Sequence, residues 1–192
     1  MKLYCATGNA GKIREFALAD PALDIVRLEN FAAIPAVEET GSTFEENAIL
    51  KAVGYSAYAD SLLFAEDSGL EADGLGGAPG VYSARFAGHG ATDAANNALL
   101  IERLRGSGNR TARYVCVIAL AKRGGLLNTF RGEVEGRILE SPRGEGGFGY
   151  DPLFFYPPFG CTFAETAAER KFAVSHRGQA LRKLAAFVSR LS

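Results

Sequence analysis

The sequence contains no tryptophan, one methionine and two histidines among 192 residues, and its three cysteines form no C-x-x-C spacing. These absences exclude a disulfide scaffold and a cysteine-rich zinc motif. Lys and Arg number 21 against 22 Asp and Glu, which gives a formal net charge of -1. Because no overall positive charge would hold a phosphate backbone, a nucleic-acid polymer is not an expected partner.

Long apolar runs are also missing. The longest, residues 114–121, has eight residues, whereas a helix needs ~20 to span a bilayer. The polar turn at residues 7–9 begins too early to leave room for the apolar core of a signal peptide. We therefore expect a cytoplasmic protein with reduced cysteines and no membrane contact. Its length predicts one domain over residues 1–192, with room for two lobes.

The order of apolar and glycine-rich segments predicts the fold class. Strand candidates at residues 2–7, 24–28 and 61–65 alternate with helix candidates at residues 11–19 and 40–59, an order typical of parallel strands. The other predicted elements are a hairpin over residues 111–122 and 126–140 around Gly124-Gly125, a structured loop over 70–90, a helix over 91–104, a strand over 153–156 and a helix after Ser175. The sequence therefore predicts an α/β fold with a mixed sheet.

The segment T-G-N-A-G-K, from Thr7 to Lys12, joins the first strand to the first helix. Its glycines expose backbone N–H groups at the positive end of a helix, and Lys12 adds a charge, which together suit a phosphate. It is not a Walker A loop, because the six-residue glycine spacing is missing and Ile13 stands where a Ser or Thr would hold magnesium. An ordinary turn with a solvated lysine explains the same pattern.

Two acidic pairs occupy positions where chemistry is often found. Glu66-Asp67 ends a predicted strand before a glycine-rich loop, and Glu38-Glu39 precedes a predicted helix. Each pair alone fits solvated surface acids, but together their oxygens could hold Mg²⁺. No cluster of His and Cys in the sequence offers a zinc site.

Two later segments offer groups for a planar ligand. Glycines on both sides of Phe148 would leave its ring open as a stacking platform, and Asp151 could accept from ring N–H groups. Lys171 and the pair His176-Arg177 place donors at a helix start. The alternatives are an aromatic core anchor, above all at Tyr150, and an exposed basic helix cap.

In this order, the segments resemble the inosine triphosphatase family, whose members are pyrophosphatases acting on non-standard purine nucleoside triphosphates. Matching motifs also occur as E-E-T-G-x-T-F-x-E-N-A at residues 38–48, L-x-G-x-P-G-V-Y-S-A-R at 75–85 and F-A-E at 163–165. The resemblance runs from Leu3 to about Leu184. It implies an elongated α/β fold with a mixed sheet flanked by helices, two lobes with an active-site cleft between them, and a homodimer.

The resemblance also implies roles for individual residues. Magnesium would be held by Glu39 and Asp67, with Asp67 also the base that activates water, although the neighbouring Glu38 could exchange roles with Glu39. The triphosphate would be held by Thr7, Gly8, Asn9, Ala10, Gly11 and Lys12, with Ser68 beside it. The nucleobase would be recognised by Phe148, Gly149, Tyr150, Asp151, Lys171, His176 and Arg177.

The implied reaction is hydrolysis of inosine, deoxyinosine and xanthosine triphosphates to the monophosphate and pyrophosphate. Donors from His176 and Arg177 match the 6-oxo group of these bases. Adenine carries an amino group at that position, which would leave these donors without an acceptor. Two alternatives stay open: a pyrophosphatase for other modified nucleotides, and a nucleotide-binding sensor without turnover.

Overall fold

The computed structural model describes residues 2–19, 21 and 23–191. Its strands are β1 (Lys2–Cys5), β2 (Asp24–Arg27), β3 (Leu62–Ala72), β4 (Thr111–Lys122), β5 (Gly125–Ile138), β6 (Phe154–Tyr156) and β7 (Cys161–Thr162). Its helices are α1 (Ala10–Phe16), α2 (Phe44–Ser56), α3 (Asp93–Arg103), α4 (Ala168–Val174) and α5 (His176–Val188). None of the helices within these residues is long and apolar enough to cross a membrane.

The strands form one seven-stranded sheet in the order β2-β1-β3-β4-β5-β6-β7. β1 pairs in parallel with β2 and β3, whereas β6 pairs antiparallel with β5 and β7. β4 and β5 are joined by Arg123 and Gly124, which both have positive φ, as a tight hairpin turn requires. The α/β class and the mixed sheet flanked by helices are therefore confirmed.

The chain divides into two compact units, each with its own core. Unit 1 comprises Met1–Asp67, Cys116–Gly132 and His176–Ser192, and unit 2 comprises Ser68–Val115 and Glu133–Ser175. In unit 1, the rings of Phe16 and Phe64 pack edge to face at 5.2 Å. In unit 2, the ring of Phe154 packs against Tyr114 and Phe163 within a buried hydrophobic cluster.

The start of α2 follows from its sequence. Two overlapping capping boxes are possible, Ser42 with Glu45 and Thr43 with Glu46. The structure uses the second, because the Thr43 hydroxyl accepts from the Glu46 amide while the Glu46 side chain accepts from the Thr43 amide. The helix predicted over residues 40–59 thus begins at Phe44 and ends at Ser56.

Several predicted boundaries were wrong. The strand predicted to end at Ala65 continues to Ala72, through the acids and into the predicted loop, because these acids are paired inside the protein rather than solvated. The hairpin turn lies one residue earlier than Gly124-Gly125, and α4 and β7 were not predicted. The first helix was expected to reach residue 19 and to be broken by Asp20-Pro21, but it ends at Phe16. Asp20 itself lies outside the described residues.

Candidate active site

Glu66 is the centre of a buried charge cluster in unit 1. It lies on β3 and is 4% exposed. Lys12 Nζ lies 2.8 Å from its Oε1, and Arg177 donates from Nε to Oε2 at 2.8 Å and from Nη2 to Oε1 at 3.0 Å. Burial alone would raise the pKa of Glu66, but the charges of Arg177 and Lys12 hold that pKa well below its ordinary range. Glu66 is therefore an ionised anchor for two cations.

Arg177 lies in the first turn of α5 and is 2% exposed. Its Nη1 donates to Glu15 of α1, so one guanidinium group joins two carboxylates. Burial opposes its charge, but Glu66 and Glu15 together raise the pKa of Arg177 well above its ordinary value. His176 beside it is also buried, so the exposed basic cap considered for this segment is wrong.

A second cluster of unit 1 joins the two residues predicted to hold magnesium. Lys51 Nζ donates to Glu39 Oε2 and to Asp67 Oδ1, both at 2.9 Å. The Asn47 amide lies 3.4 Å from the other Asp67 oxygen. Glu38 and Glu39 are both exposed, but the acid that shares Lys51 with Asp67 is Glu39.

The pKa values of the two carboxylates of this cluster are shifted in opposite directions from their ordinary values. Burial raises the pKa of Asp67, and Lys51 only partly offsets that effect. Burial also acts on Glu39, but there the charge of Lys51 outweighs it and lowers the pKa. The pKa of Asp67 is thus shifted in the direction that suits a general base, whereas that of Glu39 is not.

These carboxylates fit a hard divalent cation. Oxygen is the ligand type that Mg²⁺ prefers, and protein sites often supply only one or two carboxylates while water and phosphate complete the shell. Both acids form an ion pair with the same ammonium group, that of Lys51. Within the described residues, no group of three or more His, Cys, Asp and Glu side chains is placed to hold a metal ion.

The predicted phosphate turn lies between β1 and α1 in unit 1. Asn9 Oδ1 accepts from the Lys12 amide at 3.1 Å and caps α1. Thr7 Oγ1 accepts from the Asn9 amide at 3.2 Å. The middle of the turn, Gly8 to Ala10, is exposed. The turn is therefore held by its own side chains while its centre stays open to a ligand.

Asp151 is the centre of the polar network in unit 2. Its Oδ2 accepts from Lys171 Nζ at 2.5 Å and from the Phe148 amide at 3.0 Å. Its Oδ1 accepts from the Tyr114 hydroxyl at 3.3 Å. Lys171 Nζ also lies 5.0 Å from the centre of the Phe148 ring. Asp151 and Lys171 are both buried, whereas Phe148 is half-buried, so the network fixes a partly open aromatic ring.

Other predicted residues of unit 2 have different environments. Tyr150 is buried and donates from its hydroxyl to the Ser83 carbonyl at 2.8 Å, as the core-anchor alternative for this ring predicts. Gly149 is half-buried with a φ of 62°. Ser68, next to Asp67 on β3, is half-buried.

Four partners of these clusters were not selected as site residues from the sequence: Glu15, Asn47, Lys51 and Tyr114. Lys51 had a readable signal, because it follows Asn47 by four residues on a helix and so lies on the same face. Tyr114 stands in an apolar run and gave no signal. Glu15 resembles any polar residue of a short helix.

The chain is similar to known proteins over nearly its whole length. Residues 3–187 match the Ham1 family. A dITP/XTP pyrophosphatase of an Exiguobacterium species is 54% identical over 188 residues, which cover 97% of this chain and 96% of that protein. A dITP/XTP pyrophosphatase of Desulforamulus reducens is 49% identical over 195 residues, covering 100% and 97%.

Solved structures agree with this match. The Staphylococcus aureus Ham1 protein has a TM-score of 0.89 at 39% identity and covers 100% of both chains. The Coxiella burnetii HAM1 protein has a TM-score of 0.88 at 38% identity and covers 99% of both chains. The resemblance drawn from the sequence motifs is therefore confirmed, and the chain belongs to the Ham1 family.

Proposed function

We propose that this protein hydrolyses non-canonical purine nucleoside triphosphates, namely inosine, deoxyinosine and xanthosine triphosphates, to the monophosphate and pyrophosphate. The observation that carries the proposal is the pair of carboxylates, Asp67 and Glu39, held 2.9 Å from one ammonium group. It occurs in a chain whose relatives are named dITP/XTP pyrophosphatases. Residues 1–192 act as one catalytic domain, since the family match covers residues 3–187.

Glu39 and Asp67 are the residues that would hold Mg²⁺. When bound, the cation would neutralise phosphate charge and make a coordinated water more acidic. Lys12 and Lys51 bring further positive charge to this unit, as the spread of charge in phosphoryl transfer requires.

Asp67 takes the proton of the attacking water. Its pKa is raised above the ordinary value, chiefly by burial, so it holds a proton more readily than an exposed aspartate does. Glu66 beside it has its pKa lowered by Arg177 and Lys12 against the effect of burial. Of the two neighbouring acids, Asp67 is therefore the base and Glu66 the fixed anion.

The stacking part of the proposed base-binding role rests on unit 2. The half-buried Phe148 ring stacks on the purine, and Asp151 and Lys171 orient that ring through the contacts described above. We assign the choice of a 6-oxo purine to donors of Lys171, His176 and Arg177. Donors that match a 6-oxo group leave the amino group of adenine without a partner.

We also propose a cytoplasmic homodimer. The three cysteines are free thiols, as a reducing compartment favours, and the family resemblance supports the dimer. Analytical ultracentrifugation at micromolar concentration should give twice the chain mass of 20.4 kDa. A single species at the chain mass would reject the dimer.

A substrate panel with product analysis tests the main proposal. The protein is incubated with Mg²⁺ and inosine, deoxyinosine, xanthosine, adenosine, guanosine and deoxyuridine triphosphates, and early products are separated by anion-exchange chromatography. We expect inosine monophosphate and pyrophosphate to form together, with adenosine triphosphate used far more slowly. Inosine diphosphate with orthophosphate would reject the assigned bond.

The same panel separates the two alternatives. A preference for a modified pyrimidine would favour a different pyrophosphatase, and tight binding without any product would favour a sensor. An Asp67→Asn preparation, purified in parallel, controls for contaminating phosphatases.

A further inference from the structure

We infer that Asp93 and Asn97 of α3 are positioning residues for the base-binding segment from Phe148 to Asp151. This inference rests on the proposed function and deepens it. Asp93 Oδ2 accepts from the Gly149 amide at 2.7 Å, and Asn97 Nδ2 donates to the Gly149 carbonyl at 3.0 Å. One turn of α3 thus holds both backbone polar groups of the residue that follows Phe148.

The spacing of the two side chains explains why they act together. Asp93 and Asn97 are four residues apart on α3 and therefore lie on the same face of the helix, one turn apart. One supplies an acceptor and the other a donor, which is what the N–H and C=O of a single residue need. A one-residue slip of the segment would break both hydrogen bonds.

The segment itself has little intrinsic rigidity. Gly147 and Gly149 have φ of 73° and 62°, a region that glycine adopts readily but with a large loss of conformational freedom. On the other side, Asp151 accepts from the Phe148 amide at 3.0 Å. Phe148 is therefore fixed from two directions, by Asp151 within the segment and by α3 through Gly149.

The helix α3, which carries Asp93 and Asn97, is itself anchored by hydrogen bonds. Asn96, between the two positioning residues, is 3% exposed. Its Oδ1 accepts from the Ala87 amide at 2.8 Å, and its Nδ2 donates to the Ala84 carbonyl at 3.3 Å. Side chains on such an anchored helix can fix the position of a loop more precisely than side chains on another loop could.

Asn97 also carries a feature that packing alone would not select. Within the described part of the chain, its Oδ1 is buried and has no hydrogen-bond partner, which is unfavourable for folding. An apolar residue would fill the same space without that penalty. The position therefore serves the bond to Gly149 rather than the core.

Binding of the two reaction products separates positioning of the base from a general structural role. Inosine monophosphate carries the base, whereas pyrophosphate does not. For Asn97→Ala and Asp93→Ala, we expect calorimetry to give about 3- to 10-fold weaker binding of inosine monophosphate, which is the scale of one lost hydrogen bond. Binding of pyrophosphate should be unchanged. With inosine triphosphate as substrate, KM should rise while kcat changes less.

Two further variants complete the experiment. Asp93→Asn keeps a carbonyl oxygen that can accept from Gly149, so its product binding should stay close to wild type. Glu102→Gln removes a carboxylate from an exposed position at the other end of α3 and should change nothing. Asp93 is exposed, so its variants fold even where Asn97→Ala does not.

The outcomes distinguish this inference from the proposed function. The inference alone is overturned if the wild type hydrolyses inosine triphosphate but the Asp93→Ala and Asn97→Ala variants bind both products unchanged, or bind both equally weakly. A wild type that neither hydrolyses inosine triphosphate nor binds its monophosphate overturns both.

Discussion

Arg177 forms a two-pronged hydrogen bond with Glu66, from Nε to Oε2 at 2.8 Å and from Nη2 to Oε1 at 3.0 Å. The two side chains are 2% and 4% exposed. The pair connects the first turn of α5 to the middle of β3 across 111 positions of sequence. A bidentate pair fixes direction as well as distance, so it sets the position of His176 and of Asp67, the neighbours of its two members.

The first prediction concerns the stability that this pair provides. Arg177→Ala leaves Glu66 and Glu15 buried without their shared guanidinium group, and breaking one side of a buried pair destabilises by about 3–5 kcal/mol. We expect that loss in the free energy of unfolding, measured with urea. Arg182→Ala, at an exposed position of the same helix, is the control. Equal losses in both variants would contradict the structural role of Arg177.

A second prediction concerns the contact between β5 and α5. A Cβ atom at Gly132 would lie 2.1 Å from the His176 carbonyl oxygen and 2.8 Å from the Ala180 amide nitrogen. Gly132→Ala therefore pushes the start of α5 away, and such overpacking typically destabilises by about 1–3 kcal/mol. We expect a lower thermal midpoint and a higher KM for inosine triphosphate.

Gly125→Ala, at the start of the same strand, gives a matched control, because its nearest contact is 3.4 Å away. If Gly132→Ala were as stable and as active as Gly125→Ala, the close approach would have no structural importance.

The sequence predicted the α/β class, the parallel front of the sheet and its hairpin, since each follows from local periodicity and turn residues. It did not predict that β3 continues through Glu66 and Asp67, because the partners that neutralise these acids lie at Lys12, Lys51 and Arg177. Pairings over such separations leave no local pattern. The contacts of Arg177 to two carboxylates are likewise visible only in the fold, and its role toward the base stays a prediction.

The third prediction is a pH dependence at the start of α2. The Glu46 carboxylate accepts from the Ser42 hydroxyl and amide at 2.9 and 2.7 Å, and chiefly these hydrogen bonds lower its pKa. A carboxylate whose pKa is lower in the folded than in the unfolded state contributes to stability. That contribution is complete above the unfolded pKa and is lost as the pH falls through the folded pKa. The stability difference between wild type and Glu46→Gln should therefore be largest near neutral pH and vanish in acid.

Thermal unfolding of both proteins over a pH series measures that difference, with Glu102→Gln as the control for removal of an exposed carboxylate. A difference that stays constant down to the most acidic point would show that the charge of Glu46 has no part in the cap.

The last prediction concerns the catalytic step. Asp67→Asn keeps the shape of the side chain and an oxygen that can accept from Lys51, which lies 2.9 Å from Oδ1, but an amide cannot take a proton from water. We expect kcat for inosine triphosphate to fall by at least ~100-fold, the usual lower range for loss of a general base. Asp60→Asn, at an exposed position just before β3, should leave kcat unchanged.

Circular dichroism and the unfolding midpoint establish that the Asp67→Asn variant is folded, so that the lost rate reports on chemistry. A folded Asp67→Asn variant that turns over at the wild-type rate under saturating Mg²⁺ would remove Asp67 from the role of base, and Glu39, the other carboxylate on Lys51, would then be the acid to test.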